Sequence, residues 1–415
     1  MSITARAARL LVAEVFQSPE LLLEGDTVSD VARGEIRIDQ EKDGNAKVSL
    51  VVDGAVASLT FVMPMTVRIG EATVRMDGIG GVETVEGQRN LGYSRRVLDA
   101  ALAYMVTGDA SLTALYGIPD YYPRWGYATL GPEGGIRLSR LDRDAQVLPG
   151  YTMRAARVND VPRMRTLYDG ATRTAVGALV RAESSPAWRS LIDSIEKRED
   201  ECRVIVDDTE EVLAYAWRAS GCWWMKNQIR DQPAGLHIGE AFAMTPRASD
   251  ALLAAARQWA TELGLEHVDF HQPPLGPVGM SARLQDTANL SLSFRDAQFM
   301  GRSIGVGDLM RSIEAELLKR WQDSSFGWTG RLILRTNEDD IAIALTPTTL
   351  QVETVAGDED ATLVDLTPGE IARLVFGSFP TIDFLDRVGV ARDISDVLAV
   401  LFPERTPYIY PADRF

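Results

Sequence analysis

The sequence predicts a mixed α/β protein made of three successive units, and two observations support this. Runs with the two-residue apolar period of strands alternate with runs of helical period, and this order occurs twice, over residues 1–150 and 151–300. A chain of 415 residues is also too long for one ordinary hydrophobic core, so two or three domains are expected. Residues 301–415 form the third unit.

The first unit begins with paired strands. Residues 47–52 and 56–61 alternate apolar and polar side chains, and Asp53-Gly54 between them is typical of a hairpin turn. Segments 66–76 and 80–85 are predicted to continue the sheet. Two glycine-containing segments are predicted to mark its end, namely Gly134-Gly135 and residues 148–150.

A strand-to-helix corner at residues 82–94 is the most informative segment. Arg89-x-x-Gly92 stands at the start of a helix whose apolar residues recur at helical spacing: Val97, Leu98, Ala101, Leu102 and Met105. The N–H groups of a first helical turn have no intrahelical partner, and the helix dipole adds positive potential there. Since Gly92 has no Cβ and Arg89 adds a charge, the corner predicts a pyrophosphate site.

A strand at 111–117 and then Tyr122-x-Arg124-x-Gly126-Tyr127 follow this corner. Together with Arg89-x-x-Gly92-x-Ser94, this order resembles the GCN5-related N-acetyltransferases, whose corner pattern is Arg/Gln-x-x-Gly-x-Gly/Ala. Ser94 replaces the last small residue of that pattern. The resemblance implies an enzyme that transfers an acetyl group from acetyl-coenzyme A to a primary amine of a small molecule or of a lysine side chain.

The second unit echoes the first. A capped helix start at 158–162 precedes strands at 204–206, 212–217 and 236–243, a helix at 251–263 and a strand at 267–271. This order suggests a duplicated acetyltransferase fold. Its corner at 244–250 has no glycine, and Asp250 would repel phosphate. We therefore expect a degenerate copy that binds no cofactor and serves structure or oligomer contacts.

The third unit combines a helix at 308–321 with four strands and a second helix. The strands are predicted at 331–336, 341–345, 350–355 and 361–366, and Thr367-Pro368-Gly369-Glu370 opens the second helix. This pattern resembles the sterol-carrier-protein-like fold. The three units in this order are similar to the enhanced intracellular survival family of acetyltransferases.

That family resemblance assigns roles to the three units and implies an assembly. Residues 1–150 would be the catalytic acetyltransferase domain, 151–300 the degenerate copy, and 301–415 a sterol-carrier-like domain whose tail enters the active site. It also implies a homo-oligomer, expected to be a hexamer.

The resemblance further assigns residues to the donor site. Arg89, Asn90, Gly92, Tyr93 and Ser94 would bind the phosphates of acetyl-coenzyme A. The main chain of Val82 and Thr84 would align the pantetheine arm, with the Val82 N–H as the candidate for the oxyanion. Taken without the family, Val82 and Thr84 could equally be ordinary strand-pairing residues.

Two groups are assigned to proton transfer by the same resemblance. Tyr122 would protonate the leaving thiolate, since a phenol with an ordinary pKa of about 10 is protonated at neutral pH. The α-carboxylate of Phe415, with an ordinary pKa of about 3.5, would hold the amine or accept its proton. The alternatives are a packing tyrosine and a packing tail. Arg414 beside the pocket would oppose a polycationic aminoglycoside.

Composition limits the class of partner and the compartment. A formal net charge of −16 argues against nucleic acid, and it fits either a cationic substrate or solubility alone. No apolar run has the length of a membrane span, and residues 1–23 show no convincing signal peptide, so no membrane partner is expected. The cysteines Cys202 and Cys222 predict a reducing, cytoplasmic location.

Two further possibilities remain open in the sequence. His267, Asp269 and His271 would share one strand face, as a metal site or, as we expect, as a polar strand face without metal. The third unit could instead make the chain a non-catalytic protein that binds a lipid or an acyl-coenzyme A.

Overall fold

The computed structural model describes residues 34–131, 133–142, 148–198, 200–219, 234–285, 288–292, 298–355 and 361–415. Segment 1–23 and Cys222 lie outside these residues, whereas Cys202 is a buried free thiol whose pKa is raised by burial. The described residues form a mixed α/β structure with three sheets, which confirms the predicted fold class.

The first sheet contains eight strands in the order β1-β2-β3-β4-β5-β15-β6, with β9 added to β3. These strands are β1 (Glu35–Gln40), β2 (Ala46–Val52), β3 (Ala55–Ile69), β4 (Ala72–Thr84), β5 (Leu112–Gly117), β6 (Ala128–Thr129), β9 (Val176–Leu179) and β15 (Gln298–Ser303). The pair β4–β5 is parallel, because helix α1 (Tyr93–Val106) connects the two strands.

Two turns shape the start of this sheet. Asp53 and Gly54 both have positive φ (51° and 81°), so the β2–β3 hairpin closes between Val52 and Ala55 as predicted. The predicted continuous segment 66–76 contains a second turn, since β3 ends at Ile69 and β4 returns from Ala72. Gly70, with φ of 65°, permits that reversal.

The second sheet has the order β14-β7-β13-β12-β11-β10-β8. Its strands are β7 (Glu133–Leu138), β8 (Thr152–Ala155), β10 (Cys202–Val206), β11 (Val212–Arg218), β12 (Gly235–Ala243), β13 (His267–Phe270) and β14 (Ala288–Leu292). Helices α2 (Val161–Thr172), α3 (Pro186–Lys197), α4 (Pro246–Glu262) and α5 (Pro277–Arg283) accompany it.

The prediction that Gly134 and Gly135 end the first sheet is wrong. Both lie inside β7, where they pair with Ser291 and Leu290 of β14. The ladder to β14 holds both glycines extended, so tertiary pairing overrides their tendency to form turns.

The first two sheets exchange segments of the chain. Strand β7 follows the first sheet in sequence but joins the second, and β15 follows the second sheet but inserts between β5 and β6 of the first. The domain boundaries at 150 and 300 stay predictions, and the sheets themselves are interleaved around those positions.

The third sheet has the order β18-β17-β16-β19, from β16 (Gly330–Arg335), β17 (Asp340–Leu345), β18 (Leu350–Glu353) and β19 (Thr362–Asp365). Its helices are α6 (Val306–Asp323), α7 (Pro368–Phe376), α8 (Thr381–Arg387) and α9 (Arg392–Leu401). The predicted start of α7 is capped reciprocally by Thr367 and Glu370.

The two faces of the first sheet pack against different partners. Helix α1 covers one face through a cluster that contains Val62, Ile79 and Val97. The other face shares a core with α6 and the third sheet, with Met76 and Leu309 among its members. Among the helices of the described residues, none is both long and apolar enough to cross a bilayer.

Candidate active site

Strands β4 and β5 separate at one end of the first sheet. Their pairing ends at Ile79 and Leu115, although β4 continues to Thr84 and β5 to Gly117. Strand β4 stays attached to β3, because the Val85 N–H donates to Ala57 O at 2.9 Å. The side of β4 that faces β5 is therefore open along this stretch.

A bulge lies in β4 beside this opening. The β3–β4 register shifts between Leu59 and Phe61, and Gly81 takes a φ of 60°. Val82 falls in the bulge and has no register partner in β3 among the described pairs, whereas Thr84 pairs with Ser58 and its hydroxyl lies 2.9 Å from the Ser58 hydroxyl. Val82 and Thr84 are both predicted to align the pantetheine arm, and of the two only Val82 lies outside the β3–β4 pairing.

The corner after β4 leads directly into α1. Asn90 and Gly92 both adopt left-handed φ (64° and 73°), and Gly92 is the N-cap residue without a side-chain cap. Arg89, Asn90 and Gly92 are exposed. The first intrahelical acceptor, Gly92 O, receives the Arg96 N–H at 3.2 Å, so the N–H groups of Tyr93 and Ser94 precede the intrahelical hydrogen bonds of the helix.

Two of the predicted corner residues use their side chains elsewhere. The Tyr93 ring is buried in the core beneath the corner. The Ser94 hydroxyl lies 2.7 Å from the Tyr121 hydroxyl. The corner therefore offers an anion the main chain of Tyr93 and Ser94 and the side chains of Arg89 and Asn90.

Helix α1 also holds the 3₁₀ turn Tyr122–Trp125. Besides the contact between Ser94 and Tyr121, the Trp125 indole N–H donates to Asp99 at 2.6 Å. Burial raises the pKa of Asp99, and the hydrogen bond from Trp125 opposes that effect. Sequence reasoning missed both contacts; the only signal for them was the serine in place of the last small residue of the corner pattern.

Tyr122 lies over the end of β5. A Cβ atom on Gly117 would collide with the Tyr122 ring, so the glycine makes room for it. The ring is 8% exposed and packs edge-on against Tyr121 and Tyr127, with centroid distances of 5.1 and 6.3 Å. Burial, with Tyr121 next, raises the pKa of Tyr122 to about 12. Its hydroxyl has no hydrogen-bond partner among the described residues.

The C-terminal tail crosses both α/β sheets. The Tyr408 N–H donates to Val176 O in β9 at 3.0 Å. Gly177, with φ of 93°, permits this approach, since a Cβ there would lie 2.6 Å from the Tyr408 nitrogen. Tyr408, Ile409 and Tyr410 are all buried.

Phe415 ends the chain against β4. Its ring lies over Gly78 and contacts Tyr116 edge-on at 5.9 Å, and its carboxyl carbon would be 3.2 Å from a Cβ on Gly80. Ile79 points into the α1 cluster, so Gly78 and Gly80 face the other way. Tyr122 belongs to the α1 cluster; it and the Phe415 carboxylate therefore flank the opening from opposite faces.

Comparison with known proteins identifies the first part of the chain. Residues 9–130 match the family model described as an acetyltransferase (GNAT) domain. This match assigns a GNAT acetyltransferase domain to residues 9–130. This match confirms the expectation of an N-acetyltransferase, and such domains use acetyl-coenzyme A. No curated protein matches the sequence.

Solved structures share the fold over nearly the whole chain. A GCN5-related N-acetyltransferase from Kribbella flavida has a TM-score of 0.63 at 18% identity, covering 100% of this chain and 98% of that one. One from Anabaena variabilis has a TM-score of 0.66 at 15% identity, covering 98% and 97%. Eis1 from Mycobacterium abscessus has a TM-score of 0.57 at 11% identity, covering 100% and 98%.

The corner of the second unit has a side-chain cap, in contrast to that of the first. Helix α4 begins after Thr245, whose side chain accepts the Ala248 N–H at 3.1 Å. One donor of the first turn is therefore already satisfied by the chain itself, and no glycine opens the approach to it. That this corner binds no phosphate stays a prediction.

Two of the three histidines lie beside Asp269, and the third, His271, contacts His237. His267 Nε2 lies 3.4 Å and His237 Nδ1 3.6 Å from the Asp269 carboxylate. The Arg137 guanidinium donates two hydrogen bonds, of 2.7 and 2.6 Å, to the same carboxylate. His237 Nδ1 and His271 Nε2 are 3.1 Å apart. Burial is the main cause that lowers the pKa of His271 to about 3, and the neighbouring His237 lowers it further. Among the described residues no group has the arrangement of a metal site.

Proposed function

We propose that the chain transfers the acetyl group of acetyl-coenzyme A to a primary amine of a small molecule or of a lysine side chain. One observation carries the proposal. The opening between β4 and β5 has an exposed, uncapped helix start at its outer end, and Tyr122 and the Phe415 carboxylate flank it on its two faces.

The donor would lie along the open side of β4. Arg89 and Asn90 would contact its phosphates together with the first-turn N–H groups at Gly92, Tyr93 and Ser94. The bulge supports a role for Val82, because a main-chain N–H outside the β3 ladder can turn toward the carbonyl oxygen on which negative charge develops. Thr84 would continue the same edge.

The bound donor supplies a thioester carbonyl that an amine can attack. The amine nitrogen bonds to that carbon, the carbon–sulfur bond breaks, and sulfur leaves with the electron pair. A thiol has an ordinary pKa of about 8.5. The Tyr122 phenol, with a pKa near 12, therefore favours a strong hydrogen bond to the departing sulfur over full loss of its proton.

The proton that the amine loses must leave on the other face. The Phe415 carboxylate stands there and can hold the ammonium form of the acceptor before a proton passes to it or to water. An α-carboxylate is a weak base, so its main contribution is to attract and orient the amine. Arg414 is buried next to it, with its guanidinium 5.2 Å from the Tyr116 ring, and would disfavour a polycationic acceptor.

The third unit would act as a structural partner that delivers the tail. Its core is continuous with the first sheet, which supports this role more than that of a lipid carrier. The sterol-carrier-like assignment, a cytoplasmic location and a hexameric assembly are further parts of the proposal. Light scattering tests the last of these, since a monomer mass would contradict it.

A panel of primary amines and lysine peptides tests the function. Wild-type protein with acetyl-coenzyme A should release thiol with at least one amine, and acetyl-coenzyme A should raise the melting temperature whereas sterol or fatty acid should not. Stabilisation by lipid alone, without thiol release, would favour the non-catalytic alternative.

A further inference from the structure

A buried ion cluster joins the tail to the second sheet. Arg181 Nε and one terminal nitrogen donate to the two carboxylate oxygens of Asp413, both at 2.8 Å. The same guanidinium donates to Glu240 in β12 at 3.1 and 2.5 Å. The Arg181, Glu240 and Asp413 side chains are only 2%, 0% and 4% exposed.

Surrounding groups hold the cluster in one geometry. The Arg181 guanidinium stacks 3.9 Å from the Tyr168 ring centroid and 4.9 Å from that of Trp188. The Tyr215 hydroxyl donates to Glu240 at 2.6 Å. The aromatic rings thus fix the plane of the guanidinium, and the hydrogen bonds fix the two carboxylates.

Such a cluster is poorly explained as a source of stability. The free-energy cost of removing ions from water offsets much of their mutual attraction. Proteins in which apolar side chains of similar volume replace such ions are often as stable. A two-pronged arginine–carboxylate contact instead fixes orientation. Asp413 lies two residues from the chain end, so fixing it restricts where the Phe415 carboxylate can be.

We propose that Arg181 is a positioning residue for acyl transfer, which acts by clamping Asp413 so that the Phe415 carboxylate stays at Gly80. This inference rests on the proposed function. It also gives the second unit a task in catalysis: this unit holds the tail whose last group works in the first unit.

The variant Asp413→Ala tests the clamp without leaving an unpaired buried charge, because Arg181 keeps Glu240. The matched control is Asp160→Ala. Asp160 also receives two hydrogen bonds from one arginine, Arg154 (2.7 and 2.9 Å), which keeps Glu210 when Asp160 is lost. Two readouts are compared, namely removal of Phe415 by carboxypeptidase A, followed by mass spectrometry, and steady-state kinetics.

We expect Asp413→Ala to lose Phe415 about tenfold faster than wild type and to lower kcat about tenfold or more, since a misplacement of ~1 Å can cost ~100-fold. The KM for acetyl-coenzyme A should stay unchanged, because the corner is untouched, and Asp413→Glu should restore part of kcat. Asp160→Ala should match wild type in both readouts.

Unchanged trimming in Asp413→Ala would overturn the clamp. Faster trimming with unchanged kcat would overturn the positioning role. If wild-type protein acetylates no amine, the proposed function fails separately, and the trimming rates still decide whether Arg181 holds the tail.

Discussion

The carboxyl carbon of Phe415 lies where it would be only 3.2 Å from a Cβ atom on Gly80, which places the end of the chain against the strand that borders the proposed donor site. Gly80 has no positive φ, so its backbone would accept alanine without strain. A Cβ there would also lie 2.6 Å from Met63 Cε, so the absence of a side chain at Gly80 makes room for both Met63 and the tail.

The substitution Gly80→Ala should displace the Phe415 carboxylate and lower kcat for amine acetylation by about tenfold. Steady-state kinetics with a saturating donor measure this. The control is Gly170→Ala in α2, where a Cβ would meet nothing within 4 Å and kcat should not change. Full activity in Gly80→Ala would remove the tail carboxylate from the mechanism.

The substitution Tyr122→Phe should lower kcat by about 100-fold or more, because the departing sulfur loses its hydrogen-bond donor. Calorimetry should show unchanged binding of acetyl-coenzyme A. Tyr104→Phe, which removes a hydroxyl that accepts from Gln40 at 2.8 Å, is the control and should keep full turnover. Retained turnover in Tyr122→Phe would show that the phenol does not stabilise the departing sulfur.

The pH profile offers a separate check on Tyr122. Because burial raises its pKa to about 12, the phenol stays protonated throughout the usual assay range. Any fall in kcat on the alkaline side below pH ~10 should therefore come from another group and persist in the residual activity of Tyr122→Phe. An alkaline limb that disappears in this variant would contradict the assignment.

The substitution Arg89→Ala should weaken the binding of acetyl-coenzyme A by about three- to tenfold, which corresponds to roughly 1 kcal/mol, with little change in kcat. The exposed guanidinium contributes through charge, so the difference should shrink as salt rises. The control is Arg392→Ala in α9, because Arg392 is also exposed. The KM for acetyl-coenzyme A is measured for both variants. An equal effect of the two substitutions would argue against a phosphate contact at Arg89.

Asp77 should make stability depend on pH. Burial, followed by repulsion from Asp109, raises its pKa to about 6, above the ordinary 3.8. The folded state thus holds this proton more tightly, and the resulting stabilisation, complete below pH 3.8, is lost as pH rises through 6. Asp77→Asn should therefore raise the free energy of unfolding by up to about 3 kcal/mol at pH 7.5 and hardly at all at pH 4.

Thermal melts at both pH values measure this difference. The exposed Asp365 in β19 provides the control, since Asp365→Asn should shift the melting temperature equally little at both. A stabilisation by Asp77→Asn that is the same at pH 4 and pH 7.5 would contradict the assigned pKa.

The sequence by itself determined the local features. The period of β2 and β3, the turn at Asp53-Gly54, the uncapped helix start after Gly92 and the capping box at Thr367 each depend on residues within a few positions of one another. Such features follow from backbone conformation and the spacing of apolar residues, which is why they could be read without a structure.

Only the tertiary structure decided which segments meet. The sheet membership of β7 and β15, the hydrogen bond between Ser94 and Tyr121, and the contact of Arg181 with Asp413, 232 residues apart, leave no periodic trace in the sequence. Glycines 134 and 135 show the reason: the same residue forms a turn or a strand according to the strands beside it. Long-range packing, and not local preference, thus brings the chain's last carboxylate to β4.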